Sequence, residues 1–445
     1  MSSLVAAPAP AANVLISGAH LLDPRSGLDG LSDLLVRDGL VAAIGEGGTI
    51  DAPAGAERVD GAGRHLFPGF VDPHVHLRTP GQEHKEDLQT GTRAAAAGGF
   101  CAVVAMPNTE PALDSPPLLG ALRDVARREA RVPVGFMACV SRGMGGEQLT
   151  DMSELRRDGV LGFTDDGLPV TSAGLLRRAL QYQRLCGGVL ALHEEDPSLS
   201  ADGSLHEGAV SARLGIAGIP TVSESTMVAR DAALALYEDG RVHMQHLSCV
   251  ESVQAVAAAR GQGARVSAEV TPHHLLLCEQ DVLTLDTRRK MNPPLRADAD
   301  RRVLIDALRS GVIECVASDH APHASDDKEV PFEQAAFGTT GLETAFAVLY
   351  TDLVRPGVLE LALLVERLSA GARLLDLPVP RLAVGEPANA CLVDLEHEWR
   401  VGEGGYESRS HNSAFAGRTV RGRVLLTLAA GSVAYRERAF ALSAA

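Results

Sequence analysis

Two histidines two residues apart, His74 and His76, sit in the run 72–78 (DPHVHLR), behind an apolar stretch that begins near Leu66. Side chains alternate along an extended segment, so residues i and i+2 point to the same side. Both imidazoles of such a pair can reach one metal ion, at the roughly 2.0–2.1 Å of a zinc–nitrogen bond. Alone, the pair reads more plainly as a strand end whose histidines face solvent or a carbonyl. What changes the balance is the residues that close later apolar runs: Asp165-Asp166-Gly167, His193, His246 and Asp319. Each has its own structural explanation, a turn for Asp165-Asp166-Gly167, a helix N-cap for Asp319, a hydrogen-bonded histidine for His193 or His246. Together, four histidines and two acidic positions form the nitrogen-and-carboxylate set expected for zinc or a similar divalent ion.

The elements that would have to carry these residues alternate regularly. Apolar runs end near Val75, Ala105, Val140, Thr164, His193, His246, Val270 and Ser318, and most are separated by helical stretches such as 86–98, 118–130, 173–185, 221–238 and 250–260. Eight strands alternating with helices predict an α/β fold of the (β/α)8 TIM-like barrel type, whose active-site residues lie on loops after the strands' C-terminal ends. An open doubly wound sheet is the competing arrangement, but no GxGxxG follows the first strand. After the third strand, near Val140, nothing stands out as chemistry. The two chain ends read differently, as short β segments near 13–16, 33–36 and 40–44, and again near 390–394, 420–424 and 432–435, broken by Gly and Asp turns. They predict a small β-sandwich built from both termini. The expected organisation is a flexible tail over 1–12, sandwich over 13–65, barrel over 66–375 and the rest of the sandwich over 376–445.

Hydrophobic residues make up 45% of the 445, but aromatics only 4%, so the core must be built from Ala, Val and Leu. A net charge of −16 with no offsetting basic cluster argues against a nucleic-acid partner. The seven cysteines are scattered singly with no CxxC pair, so neither a disulfide framework nor a cysteine zinc site is expected. Residues 1–12 are rich in Ala and Pro, lack a basic leader region and are too short to span a membrane. A cytoplasmic protein with no membrane contact is the expectation.

The segments 72–86 (DPHVHLRTPGQEHKE), 106–111 (MPNTEP), 163–167 (FTDDG), 291–295 (MNPPL), 318–323 (SDHAPH) and 337–344 (FGTTGLET) carry a resemblance. In this order, from 67 to 344 and with β-rich flanks, the chain resembles dihydroorotase of the long bacterial type, in the amidohydrolase superfamily. The resemblance implies that His74 and His76 bind one zinc ion and His193 and His246 a second, less firmly held one. Asp166 would bridge the two, with Asp165 a live alternative, and Asp319 would touch the first ion and move the proton. It assigns His76, Arg78, Asn108, Asn292, His323 and the backbone at Phe337 and Gly338 to the substrate. His65, His84, His273, His274 and His320 are left as structural or loop residues. The implied reaction is the reversible cyclisation of N-carbamoyl-L-aspartate to L-dihydroorotate plus water, in pyrimidine biosynthesis. A homodimer is expected, and association with aspartate transcarbamoylase is left open.

Many members of the superfamily bridge their metals with a carbamylated lysine after strand four. Here the only lysines are Lys85, Lys290 and Lys328, and the strand-four position holds Asp165-Asp166. Two rivals stand beside the main reading. A hydantoinase, dihydropyrimidinase or allantoinase opens similar rings, but Arg78 and the Asp-Asp-Gly after strand four favour dihydroorotase. A non-catalytic scaffold for aspartate transcarbamoylase would be expected to have lost ligands that this chain keeps. The charged stretches 83–86 and 325–329 read as solvated surface or as lids.

Overall fold

A computed structural model describes residues 3–443. Eight parallel strands, Phe70–Val75, Phe100–Ala105, Val134–Ala138, Gly162–Phe163, Val189–Leu192, Arg241–Met244, Arg265–Val270 and Cys315–Val316, neighbour one another in chain order. The first and last strands also meet. Val75 bridges to His320, the His76 N–H donates to the His320 carbonyl at 2.9 Å, and the Asp72 carboxylate accepts the Ser318 N–H at 3.2 Å. The sheet thereby closes into a barrel. Unbroken apolar strands such as 134–138 (VGFMA) and 189–192 (VLAL) are buried at every position, because helices cover one face and packed side chains fill the other.

Crossover helices follow the strands, among them Leu88–Ala97, Pro116–Glu129, Ala173–Cys186, Val222–Glu238 and Val250–Gly261. Their starts are set locally. Asp87 accepts the Thr90 N–H at 2.7 Å, with the Thr90 hydroxyl returning to the Asp87 backbone, and Pro116 occupies a first turn that needs no N–H. The boundaries fall within two residues of those predicted. The short helix Met152–Asp158 and the small parallel pair Leu205–His206 with Gly218–Ile219 were not legible as periodic runs.

Both chain ends join one further sheet of eight strands. Val14–Asp23, Leu28–Arg37, Leu40–Glu46, Glu57–Asp60 and His65–Pro68 come from the N-terminal side, and Ala390–Arg400, Thr419–Ala429 and Ser432–Arg436 from the C-terminal side. The halves are sewn together where Leu66 and Phe67 pair antiparallel with Leu392 and Cys391. Leu34 and Leu426, from opposite wings of this sheet, share one buried cluster, so the sheet folds over a core of its own beside the barrel.

The loose tail expected over 1–12 is not what the structure contains, although residues 1 and 2 lie outside the described part. Val5 and Val134 exchange backbone hydrogen bonds of 3.0 and 2.8 Å, the Ala7 N–H donates to Ala130 O at 3.0 Å, and the Ala12 N–H to Gly431 O at 2.8 Å. Pro8 and Pro10 hold this segment extended, so an Ala/Pro composition here makes a strap with few conformations to lose. Among the described residues no helix is long and apolar enough to cross a membrane.

Candidate active site

The barrel's C-terminal ends bring the six ligand-type side chains into one buried cluster. The Asp166 carboxylate lies at its centre and divides its oxygens. Oδ2 is 3.5 Å from His74 Nε2 and 3.3 Å from His76 Nε2, while Oδ1 is 3.8 Å from His193 Nδ1 and 3.6 Å from His246 Nε2. Asp319 Oδ1 faces the first pair, 3.2 Å from His76 Nε2 and 3.6 Å from His74 Nε2. His74, His76 and Asp319, and likewise His74, Asp166 and His246, bring ligand atoms within 4.8 Å of one another, as a shared cation requires. His74 Nε2 is buried with no hydrogen-bond partner, and His193 Nδ1 and His246 Nε2 point at each other across 3.0 Å. Buried polar atoms left in this way are what a metal would satisfy, and the imidazole–carboxylate donor set suits a divalent ion of zinc's type.

The rings are aimed from behind. Carboxylate and carbonyl oxygens only accept, so the partner of one ring nitrogen fixes the tautomer. His74 Nδ1–H donates to Glu269 Oε1 at 2.7 Å, His76 Nδ1–H to Asn108 Oδ1 at 2.8 Å and His193 Nε2–H to Glu195 Oε2 at 3.0 Å. Each leaves its other nitrogen facing the cluster, the usual support of a metal-ligating histidine. Burial alone would push the Glu269 carboxyl up, but His74 and His243 pull it down to about 2. The same contest is won by the histidines at Asp166 and Asp319, both held below the usual carboxylate range against their burial. Arg78, His246 and Asp319 adopt φ of +57°, +33° and +44°, left-handed backbone that side chains pay to occupy and that gathers at functional sites.

Asp165 is turned away from the cluster: it takes the Ser141 N–H at 3.1 Å and the Ser141 hydroxyl, and burial pushes its carboxyl up to about 6. Ser141, after the third strand where the sequence offered nothing, thus has a supporting part. Arg78 is buried beside the cluster, its Nε donating to Pro322 O at 3.2 Å and its Nη2 lying 3.4 Å from His323 Nε2. Among the described residues no carboxylate forms a salt bridge with it. Burial lowers its guanidinium to about 10, despite the fields of Asp319 and Asp166.

The other predicted substrate contacts already have partners. Asn108 is held by His76, and Asn292 Nδ2 donates to Glu195 Oε2 at 2.6 Å. Phe337 O accepts from His323 Nε2 at 2.7 Å, and the Gly338 N–H donates to Lys290 O at 2.9 Å. Of the histidines set aside, His274 spans Thr271 Oγ1 and Pro293 O, and His320 faces Glu86 at 3.2 Å. His273 lies beside His274 with its Nε2 buried and unpaired. The two charged loops are latched together by Lys85 Nζ and Asp327 Oδ2 at 3.4 Å. Sequence reading missed Glu269 and Glu195. Glu269 was detectable as an acid inside the apolar run 266–270 (VSAEV), since a buried charge must have a partner.

A family model described as dihydro-orotase-like matches residues 63–252. The dihydroorotase of Anaeromyxobacter dehalogenans (strain 2CP-1) is 45% identical over 430 residues, 95% of this chain and 98% of that one. That of Geobacter sp. (strain M21) is 41% identical over 425 residues, covering 95% and 99%. Among solved structures, a dihydropyrimidinase from Brevibacillus agri and an L-hydantoinase from Arthrobacter aurescens each superpose with a TM-score of 0.83, at 25% and 26% identity, over 95% of both chains. Identity of this degree along nearly the whole length places the chain in the dihydroorotase family.

Proposed function

We propose that this protein is a dihydroorotase that interconverts N-carbamoyl-L-aspartate and L-dihydroorotate in the cytoplasm, as a step of pyrimidine biosynthesis. The observation that carries the substrate assignment is Arg78, a buried cation without a carboxylate partner beside a cluster of four histidines and two aspartates. A charge in such a place needs an opposite one. The free carboxylate of dihydroorotate supplies it, and a guanidinium grips a carboxylate through two parallel hydrogen bonds. Dihydrouracil or hydantoin, which lack that carboxylate, leave Arg78 unpaired. The same cluster speaks against a scaffold that has lost catalysis.

His74, His76 and Asp319 would hold one zinc ion and His193 and His246 another, with Asp166 between them; when bound, the two supply an acidified water and Lewis acidity toward a carbonyl. Asp319 is the base and acid of the cycle. In ring opening its carboxylate takes a proton from the attacking water and returns it to the amide nitrogen as that nitrogen leaves. In ring closure it takes the proton from the ureido nitrogen and delivers it to the departing hydroxyl. Arg78 and His323 orient the substrate, while Asn108, Glu195 and Glu269 keep the imidazoles aimed. The test is a side-by-side assay of purified, zinc-loaded protein on dihydroorotate, dihydrouracil and allantoin, with metal analysis. Dihydroorotate is expected to be opened fastest, and faster opening of dihydrouracil would refute the assignment.

A further inference from the structure

We propose that Asn412, a residue carried by the β domain, positions the carboxylate clamp of the barrel. Asn412 lies in the connection 401–418 between the strands Ala390–Arg400 and Thr419–Ala429, and it is 5% exposed. Its side-chain amide makes three hydrogen bonds to two barrel loops. Oδ1 accepts the His323 N–H at 3.1 Å, and Nδ2 donates to Ala321 O and to Gly338 O, both at 3.2 Å. Between Ala321 and His323 stands Pro322, whose carbonyl receives Arg78 Nε at 3.2 Å. One amide therefore grips the residue on either side of the carbonyl that anchors Arg78. Through Gly338 it also reaches the loop whose Phe337 carbonyl takes His323 Nε2.

These loops lie past the end of the eighth strand, where the single bridge of the Ala321 N–H to Thr339 O at 2.8 Å leaves the His323 N–H and the Ala321 and Gly338 carbonyls for a side chain from elsewhere to satisfy. Asn412 is itself held in place. Thr339 Oγ1 donates to Asn412 O at 3.0 Å and accepts the Ala414 N–H at 2.8 Å. Further back, the connection is fastened by Ser410 Oγ to Lys85 O at 2.6 Å and by the Arg409 N–H to Glu86 at 3.1 Å. The β domain thus reaches the mouth of the barrel with one rigid amide. It sets the distance between Arg78 and His323 without facing the histidine cluster, so its loss should loosen substrate binding and leave the metal ligands in place.

The inference rests on the proposed seating of a substrate carboxylate against Arg78. The experiment compares wild type with Asn412→Ala and the milder Asn412→Ser, all zinc-loaded, in steady-state kinetics on dihydroorotate with zinc content measured in parallel. Losing these hydrogen bonds to the two loops should raise KM about tenfold or more. The kcat should stay within about threefold and zinc content should be unchanged, because the interaction is made in ground and transition states alike. An unchanged KM overturns the proposal, as does a fall in kcat and zinc content together, the mark of general loosening. Should wild type prove inactive on dihydroorotate, the functional reading fails. Hydrogen exchange then decides separately: faster exchange of the His323 and Gly338 amides in Asn412→Ser, with the strand Phe70–Val75 unchanged, supports the positioning role, and equal exchange removes it.

Discussion

Asp319 and Arg78 have different parts in the proposed reaction, and their loss should be felt in different kinetic constants. Asp319 lies 3.2 Å from His76 Nε2, among the ligand-type atoms, where in the proposed cycle one carboxylate would both serve as a ligand and carry the proton. Asp319→Asn keeps the shape but removes the charge and the basic oxygen, so kcat should fall by about 10²–10⁴-fold, the range of a lost general acid–base group. Near-normal turnover of that variant would rule out the role. Arg78 is proposed to grip a remote carboxylate, which the reaction would leave unchanged. Arg78→Met should raise KM about 10- to 100-fold and spare kcat; a loss confined to kcat would contradict it. Most of these side chains could be read in the sequence because chemistry restricts them to His, Asp and Arg at strand ends. Those that aim them were less legible: Glu269 shows in the sequence only as an acid needing some partner, and the closed barrel alone reveals that this partner is His74, just as the β domain alone reveals the contacts of Asn412.

The strand elements were legible because a buried parallel strand is an unbroken apolar run and its crossover helix changes the period from two to 3.6. Strand four is short, with only Gly162–Phe163 paired, yet it leads to the carboxylate at the centre of the histidine cluster. Asp166 stands three residues past its end and faces all four imidazoles. None of the three lysines can substitute there. Lys85 is paired with Asp327 at 3.4 Å, Lys290 donates to Glu333 O at 2.8 Å, and Lys328 donates to the carbonyls of Thr287 and Ala336. A carbamate bridge would depend on carbon dioxide, whereas an aspartate bridge does not. Asp166→Ala is therefore expected to lose zinc and activity together, and depleting bicarbonate before zinc loading should leave wild-type uptake unchanged. Because an aspartate has a shorter arm than a carbamylated lysine, the second ion should be held less firmly and fall below one equivalent after mild chelation. Zinc uptake that required added bicarbonate would count against this bridge.

At the scale of the whole molecule, the joint between barrel and β domain carries a concentration of acid that a net charge of −16 foreshadows but does not locate. Glu343, ahead of the helix Ala345–Leu349, accepts the Glu407 N–H at 3.0 Å and the Ser408 N–H at 3.1 Å from the connection that leads to Asn412. Burial pushes its carboxyl up to about 7, and although the two backbone N–H groups favour the charge, Glu407 and Glu86 oppose it. In the unfolded chain the same group titrates near its ordinary 4.5. The folded state therefore binds a proton that the unfolded state releases between those two values, so stability from the protonated Glu343 is complete below about pH 4.5, declines as pH rises and is spent above about pH 7. A shift of this size is worth about 3 kcal/mol between the extremes. Glu343→Gln retains an acceptor oxygen for one of the two N–H groups and has no proton to lose. The urea midpoint of the zinc-loaded variant, relative to wild type, should then rise between about pH 5 and pH 7 and level off above that, while effects of pH on the histidine cluster cancel in the difference. A difference that stays flat across that range would show that Glu343 is charged in the folded joint, held so by the backbone of residues 407 and 408.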